Sequence, residues 1–216
     1  MPSQSIEDYL KNIYHIQEEG GKANTGNLAS ILSVSPASVS EMVTKLSKQG
    51  WIENEPYHGF KLTGEGEKIS IALIRKHRLL EVFLYQNMNY QWDEVHAEAE
   101  RIEHVVSDKF IDKLDEYLGY PKFDPHGDPI PDKNGKIPPT HYKLLNSAAP
   151  EKDYTIAKVN DSSREILKYL SKIGLKLNSK IHLSEKIEFD GSVLITLSGK
   201  KHLLSQKMSE NIFVVD

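Results

Sequence analysis

Cysteine is absent from the 216 residues, and this removes disulfides, zinc ribbons, iron–sulfur clusters and thiol nucleophiles together. Any metal is therefore expected on oxygen and nitrogen. No apolar run approaches the roughly 20 residues that a bilayer span needs. The amino terminus, Met1-Pro2-Ser3-Gln4-Ser5, has neither a basic region nor an apolar segment of the signal-peptide kind. A cytoplasmic protein with no membrane partner is expected. A basic surplus is missing too, since the formal net charge is −4, and tight non-specific binding to phosphate backbones is not foreseen. What is present suffices for folding: 38% hydrophobic residues over this length can build two or three small cores.

The negative charge is uneven. Residues 1–76 hold 8 basic and 9 acidic side chains, 77–141 hold 7 and 13, and 142–216 hold 12 and 9. Within the acidic middle third lies His96-Ala97-Glu98-Ala99-Glu100-Arg101-Ile102-Glu103-His104. Read as a helix, His96, Glu100, Glu103 and His104 share one face, while Ile102, Val105, Val106 and Phe110 continue an apolar stripe on the other. Two carboxylates and two imidazoles that close repel or compete for protons unless a cation sits among them, which points to a divalent metal. The alternative is a solvated acidic face with stray histidines.

From the amino terminus, Ser5 to Glu19 reads as a helix with Ile6, Leu10, Ile13, Tyr14 and Ile16 inward and Asp8 in its first turns; a carboxylate there also suits the helix dipole by itself. Thr25–Ser33, a turn at Ser33-Val34-Ser35, and Pro36–Gln49 form a helix-turn-helix pattern, with Ser35 as N-cap and Pro36 as first helical residue. The second helix shows Ala37, Ser38, Ser40, Glu41, Lys45 and Lys48 outward. Small residues at its start allow close approach to base edges, and the later lysines reach phosphates. Strands at Trp51-Ile52 and Phe60–Thr63 flank a turn that contains Tyr57 and His58, and complete a winged helix whose expected partner is double-stranded DNA.

A long helix over about Glu67–Gln86 places His77 and Glu81 one turn apart, half of a metal site or an ordinary surface hydrogen bond. Trp92–Tyr117 holds the ligand-bearing helix and a following amphipathic one, suited to a dimer interface. Gly119–Pro139 carries six prolines and reads as an irregular linker; in it Asp124 and His126 can face one ion or simply favour turns. From Tyr154 the pattern changes to short strands (Tyr154–Val159, Lys180–Ile187, Ser192–Leu197, Ile212–Val215) and one helix (Ser162–Ile173), a small partly open barrel.

Four runs carry a family resemblance: Glu7-Asp8-Tyr9-Leu10 with Ile13-Tyr14, Arg75-Lys76-His77-Arg78-Leu79-Leu80-Glu81, Val95-His96 through Glu103-His104-Val105, and Gly127-Asp128-Pro129-Ile130-Pro131. The chain resembles the diphtheria toxin repressor family of metal-activated transcriptional repressors, in its manganese-responsive branch. The resemblance implies a mainly α fold with small β parts. Its domains would be a winged helix-turn-helix over 1–74, a helical metal-binding and dimerisation domain with Pro-rich linker over 75–141, and an SH3-like (FeoA-like) domain over 142–216. It implies a primary metal site of Asp8, Glu100, Glu103 and His104, and a second drawing on His77, Glu81 and His96 with Asp124, His126 and Asp161. Iron-responsive members place Met and Cys where Asp8 and Glu100 stand here, so hard ligands favour Mn(II), with Fe(II) as the second candidate. Some short manganese regulators carry Glu where this chain has Lys11, which argues against a closely bridged two-metal cluster and for a separate second site. Ser35, Ala37, Ser38 and Glu41 occupy the family's DNA-facing positions, beside Pro36 and the wing residues.

The expected function is a homodimeric repressor of metal-uptake genes. Metal would neutralise repelling carboxylates, join the first helix to the dimerisation domain and fix the spacing of two winged helices on a palindromic operator. No small organic substrate is expected. The alternatives are a metal-dependent hydrolase or di-metal enzyme, against which Glu100-x-x-Glu103-His104 is not a Glu-x-x-His repeat, and a winged-helix regulator of a small organic ligand.

Overall fold

The structure is a computed structural model that describes residues 2–55, 59–161 and 163–216. Tyr57 and His58 of the expected wing tip, and the expected helix start at Ser162, lie outside the described residues. The chain divides into two compact units, one of residues 1–77, 102–112 and 131–136, the other of residues 78–101, 113–130 and 137–216.

In the first unit, helix α1 (Gln4–Glu18) buries Ile6, Tyr9, Leu10 and Ile13 in a core shared with Leu28 of α2 (Thr25–Ile31), Val39 and Leu46 of α3 (Pro36–Lys48), and Ile52. The side chain of Asn24 caps α2 by accepting from the amide of Asn27, and Ser35 caps α3 by accepting from the amide of Ser38, so the start of each helix is fixed locally. Strands β1 (Ile52–Glu55) and β2 (Gly59–Leu62) pair antiparallel, with Ile52 opposite Leu62. Gly59 has φ +90°, and a Cβ there would sit 2.0 Å from the Ala23 carbonyl oxygen, so only glycine lets the wing close on the chain before α2.

Helix α4 (Gly64–Asn87) follows, then α5 (Val95–Ile102) and α6 (Asp108–Tyr117). The single ligand-bearing helix expected to run through His104 ends at Ile102. Glu103 and His104 lie in a turn, and the Ser107 hydroxyl accepts the Phe110 amide to start α6 afresh. A capping serine followed by Asp108, after the β-branched pair Val105-Val106, explains the break. Within the chain Val105 and Phe110 are exposed, at 81% and 48%, rather than packed on neighbours as the apolar stripe predicted.

The second unit contains a six-stranded antiparallel sheet in the order β3-β8-β4-β5-β6-β7. Its elements are β3 (Lys143–Leu144), a 3-10 turn (Leu145–Ser147), β4 (Lys152–Val159), α7 (Arg164–Ile173), β5 (Lys180–Lys186), β6 (Val193–Leu197), β7 (Lys200–Leu204), α8 (Gln206–Ser209) and β8 (Ile212–Val215). Register shifts in the β4/β8 and β5/β6 pairs bend the sheet around Ile156, Leu167, Leu170, Leu183 and Ile195. The sequence pattern missed β3, β7 and α8. The signal for β7 was the dipeptide Ser198-Gly199: both residues have positive φ, and Leu197 pairs with Lys200 across a two-residue turn. The stretch 119–139, expected to be irregular, contains no helix or strand among its residues.

Candidate metal centre

In the first unit α1 presents Asp8, and the turn after α5 presents Glu103 and His104; ligand atoms of the three lie within 4.8 Å of one another. The His104 ring is fixed from behind. Its Nδ1 donates to Glu7 Oε2 at 2.7 Å, which leaves Nε2 as the lone-pair nitrogen, 3.0 Å from Asp8 Oδ1 and 3.4 Å from Glu103 Oε1. That nitrogen is buried and makes no hydrogen bond. A buried lone pair facing two carboxylates fits a cation held by nitrogen and oxygen. Glu7 was not singled out from the sequence. The available signal was its position in the first turn of α1 beside Asp8, but helical-face reasoning separates adjacent residues, and only the second nitrogen of His104 brings both to one place.

Glu103 is fully buried. Lys11 Nζ lies 2.6 Å from its Oε1 and His77 Nδ1 2.5 Å from its Oε2. Burial opposes its charge, but the hydrogen bond and charge of His77, and then those of Lys11, outweigh this and hold the carboxyl below its usual range. The expected picture of carboxylates left to repel one another thus needs correction at Glu103, which already has a cation. His77, foreseen with the second set, is bound to Glu103 within this unit.

The second unit gathers Glu81 of α4, His96 of α5, His126 of the linker and Asp161 after β4. His96 Nδ1 is 2.8 Å from Asp161 Oδ2 and 3.4 Å from Glu81 Oε1. His126 Nδ1 is 3.8 Å from Glu81 Oε2 and 3.9 Å from Asp161 Oδ2, and it too is buried without a hydrogen bond. Burial works against charge on both imidazoles, but Asp161 and Glu81 overcome it and hold His96 at about 10; Glu81, Asp124 and Asp161 hold His126 at about 9. For Asp161, burial is outweighed by His96, and the carboxyl falls to about 2. Without metal, protons and ion pairs thus neutralise the cluster.

Glu100 belongs to this unit, where its Oε1 is 3.9 Å from His96 Nε2. Asp124 lies within reach of Glu81 and His126, but its Oδ1 accepts the amides of His126 and Asp128. Burial, then the charges of Glu81 and Asp128, push its carboxyl well above the usual range. The linker is therefore tightly built. Gly127 has φ +94°, and a Cβ there would meet the Ala157 carbonyl oxygen at 2.1 Å, so the His126 loop lies directly against β4, and the Val159 amide donates to the His126 carbonyl.

On α3, Ser35, Pro36, Ala37, Ser38, Ser40, Glu41, Lys45 and Lys48 are all exposed, while Val39 and Leu46 are buried. Ser40 donates to the Pro36 carbonyl, and Thr44, an outward residue not singled out from the sequence, donates to that of Ser40. The exposed face is therefore small and polar at its start and basic towards its end. Among the described residues no helix is long and apolar enough to cross a membrane.

Comparison with known proteins covers most of the chain. Residues 1–60 match the family description "Iron dependent repressor, N-terminal DNA binding domain", residues 63–132 match "Iron dependent repressor, metal binding and dimerisation domain", and residues 143–216 match "FeoA domain". The transcriptional regulator MntR of Oceanobacillus iheyensis is 39% identical over 124 residues, which are 57% of this chain and 84% of that protein. A manganese-dependent transcriptional repressor solved with manganese is 36% identical over 98% of this chain and 99% of its own, with a TM-score of 0.91. ScaR with bound Cd2+ is 36% identical over the whole of both chains, with a TM-score of 0.84. With a winged helical fold in one unit, a small antiparallel sheet in the other and full-length likeness to such repressors, the chain belongs to the diphtheria toxin repressor family of metal-dependent transcriptional regulators.

Proposed function

We propose that this protein is a cytoplasmic, homodimeric, manganese-activated repressor that binds a palindromic operator and controls metal-uptake genes, with Fe(II) as the alternative signal. The observation that carries the reading is the buried, unbonded Nε2 of His104, held by Glu7 between Asp8 and Glu103. Hard oxygen donors with one imidazole suit Mn(II), and manganese-dependent repressors are similar to this chain along its whole length. The proposed ligands of the first site are Asp8, Glu100, Glu103 and His104. Those of the second are Glu81, His96, Asp124, His126 and Asp161, with His77. The proposed domains are 1–74, 75–141 and 142–216.

The bound ion supplies positive charge between helix α1 and the turn after α5. Asp8 belongs to the helix that shares a core of Leu10, Ile13, Val39 and Leu46 with the recognition helix. Holding Asp8 to Glu103 and His104 thereby sets the place of α3, whose Ser35, Pro36, Ala37, Ser38, Ser40 and Glu41 face base edges while Lys45 and Lys48 reach phosphates, with Tyr57 and His58 on the wing. Two such helices in a dimer reach two half-sites only at a spacing near one helical turn of DNA or a multiple of it. A coupling of about 1–3 kcal/mol between ion and operator changes affinity by roughly 5–150-fold.

The test is fluorescence anisotropy of the full chain against DNA from its own upstream region, in chelator, Mn(II), anoxic Fe(II) and Zn(II). Binding should strengthen with Mn(II), or with Mn(II) and Fe(II), and Asp8→Ala and Glu103→Ala should abolish the gain while the dimer stays folded. Equal binding in chelator, or an intact metal response in both variants, would remove the proposal.

A further inference from the structure

Trp92 precedes α5 and is buried at 7% exposure in the core of the C-terminal sheet domain, among Leu145, Ile156 and Leu167. Its indole Nε1 donates to the Leu167 carbonyl at 3.2 Å and to Ser171 Oγ, both on α7. Its ring stacks on the His126 imidazole, with centroids 6.1 Å apart and planes 27° from parallel. Its backbone carbonyl lies 2.7 Å from His126 Nε2. A carbonyl only accepts, so Nε2 keeps its proton, and the nitrogen left to give up its proton to an ion is Nδ1, the buried atom directed at Glu81 and Asp161.

We propose that Trp92 is the positioning residue of the second cluster: its carbonyl fixes the tautomer and direction of His126, and its indole, anchored to α7, fixes the carbonyl. The inference rests on the reading of Glu81, His96, His126 and Asp161 as a metal site and names the part that aims it. His96 lies one turn of chain beyond Trp92, and Asp161 lies just ahead of α7, so one side chain braces ligands from three segments. An apolar residue of similar size would fill the core equally well. The indole N–H and the stack are what filling does not require. Partners that orient a metal-bound imidazole commonly change affinity by about 10–100-fold when lost.

The test counts Mn(II) bound to the full-length chain by electron paramagnetic resonance of the free ion. The native chain is expected to bind two classes of ion, and His126→Ala to lose one. Trp92→Phe keeps the backbone carbonyl and most of the ring volume but removes the N–H. It should weaken the class that His126→Ala removes by about 10-fold and leave the other unchanged. Ser171→Ala, which keeps the ring, should weaken the same class by a smaller factor and serves if Trp92→Phe does not fold. In a Trp51→Phe background Trp92 is the sole tryptophan, and its emission should shift as Cd(II) fills the second class, a shift absent when His126→Ala is added. Unchanged affinity in both Trp92→Phe and Ser171→Ala, or equal weakening of both classes, overturns the inference. A native chain with one class that His126→Ala does not touch overturns the second site itself, and the inference with it, while the operator response of Asp8 and Glu103 is read separately.

Discussion

Lys11 is a lysine with only 6% of its surface exposed, and its ammonium rests on a carboxylate that is wholly buried. Removing one partner of a buried pair costs about 3–5 kcal/mol when the other charge is left alone, and the cost is smaller here because His77 still holds Glu103. Lys11→Met should therefore lower the melting temperature of the metal-free chain, and excess Mn(II) should recover part of the loss by returning positive charge to Glu103. Thermal unfolding in chelator and in Mn(II) measures both, and an equal loss in the two conditions would show that Lys11 only fills space. Asp8, Glu103 and His104 were legible as ligand candidates because carboxylate and imidazole spacing on helices is visible in the chain. The Lys11 pair was not, since it joins residues 92 positions apart, and neither was Glu7, whose role depends on which ring nitrogen of His104 it meets.

At the scale of elements, the second cluster shows how secondary structure makes an electrostatic unit from four segments that lie far apart in the sequence. Asp161 titrates at about 2 and His96 at about 10, each moved mainly by the other once burial is overcome. The depressed carboxyl stabilises the fold above its unfolded value of 3.8, and this is lost as pH falls towards 2. The raised imidazole stabilises it fully below its unfolded value of 6.5, and this is lost as pH rises towards 10. The metal-free chain should thus be most stable near pH 4 to 6.5 as far as this pair is concerned. Melting temperatures in chelator should decline from pH 6 to pH 9.5, and His96→Gln should flatten that decline; an equal slope in the variant would detach the pair from stability. The sequence showed every helix but α8, the linker and most strands, but it ran α5 on past Ile102. Glu100, Glu103 and His104 remain ligand candidates in either geometry. What changed was the direction of the last two, set by the Ser107 cap of α6.

At the scale of the whole molecule, the proposed regulation calls for two copies, and the helical part of the second unit offers an apolar surface for pairing. Tyr85 and Met88 near the end of α4, Tyr117 at the end of α6, and Tyr120 and Phe123 beyond it are 44%, 54%, 68%, 59% and 43% exposed. Tyr117 is already tied to α4 through an edge contact with Phe83 and a hydrogen bond from Asn87, so it presents its ring on a fixed frame. Large exposed apolar side chains at and just beyond the ends of two helices suit a partner surface rather than solvent, and residues 63–132 match a dimerisation domain. Charge placed there should separate the copies, because a symmetric interface meets every substitution twice. The double variant Met88→Glu, Tyr117→Glu is expected to run as a monomer in size-exclusion chromatography with light scattering. It should keep Mn(II) binding at Asp8, Glu103 and His104, which lie in the other unit, yet lose at least ten-fold in Mn(II)-stimulated operator affinity. The winged helix, with nearly balanced charge over residues 1–76, has little non-specific attraction to fall back on. Full operator affinity in a proven monomer would mean that one winged helix suffices, and the spacing mechanism would have to be given up.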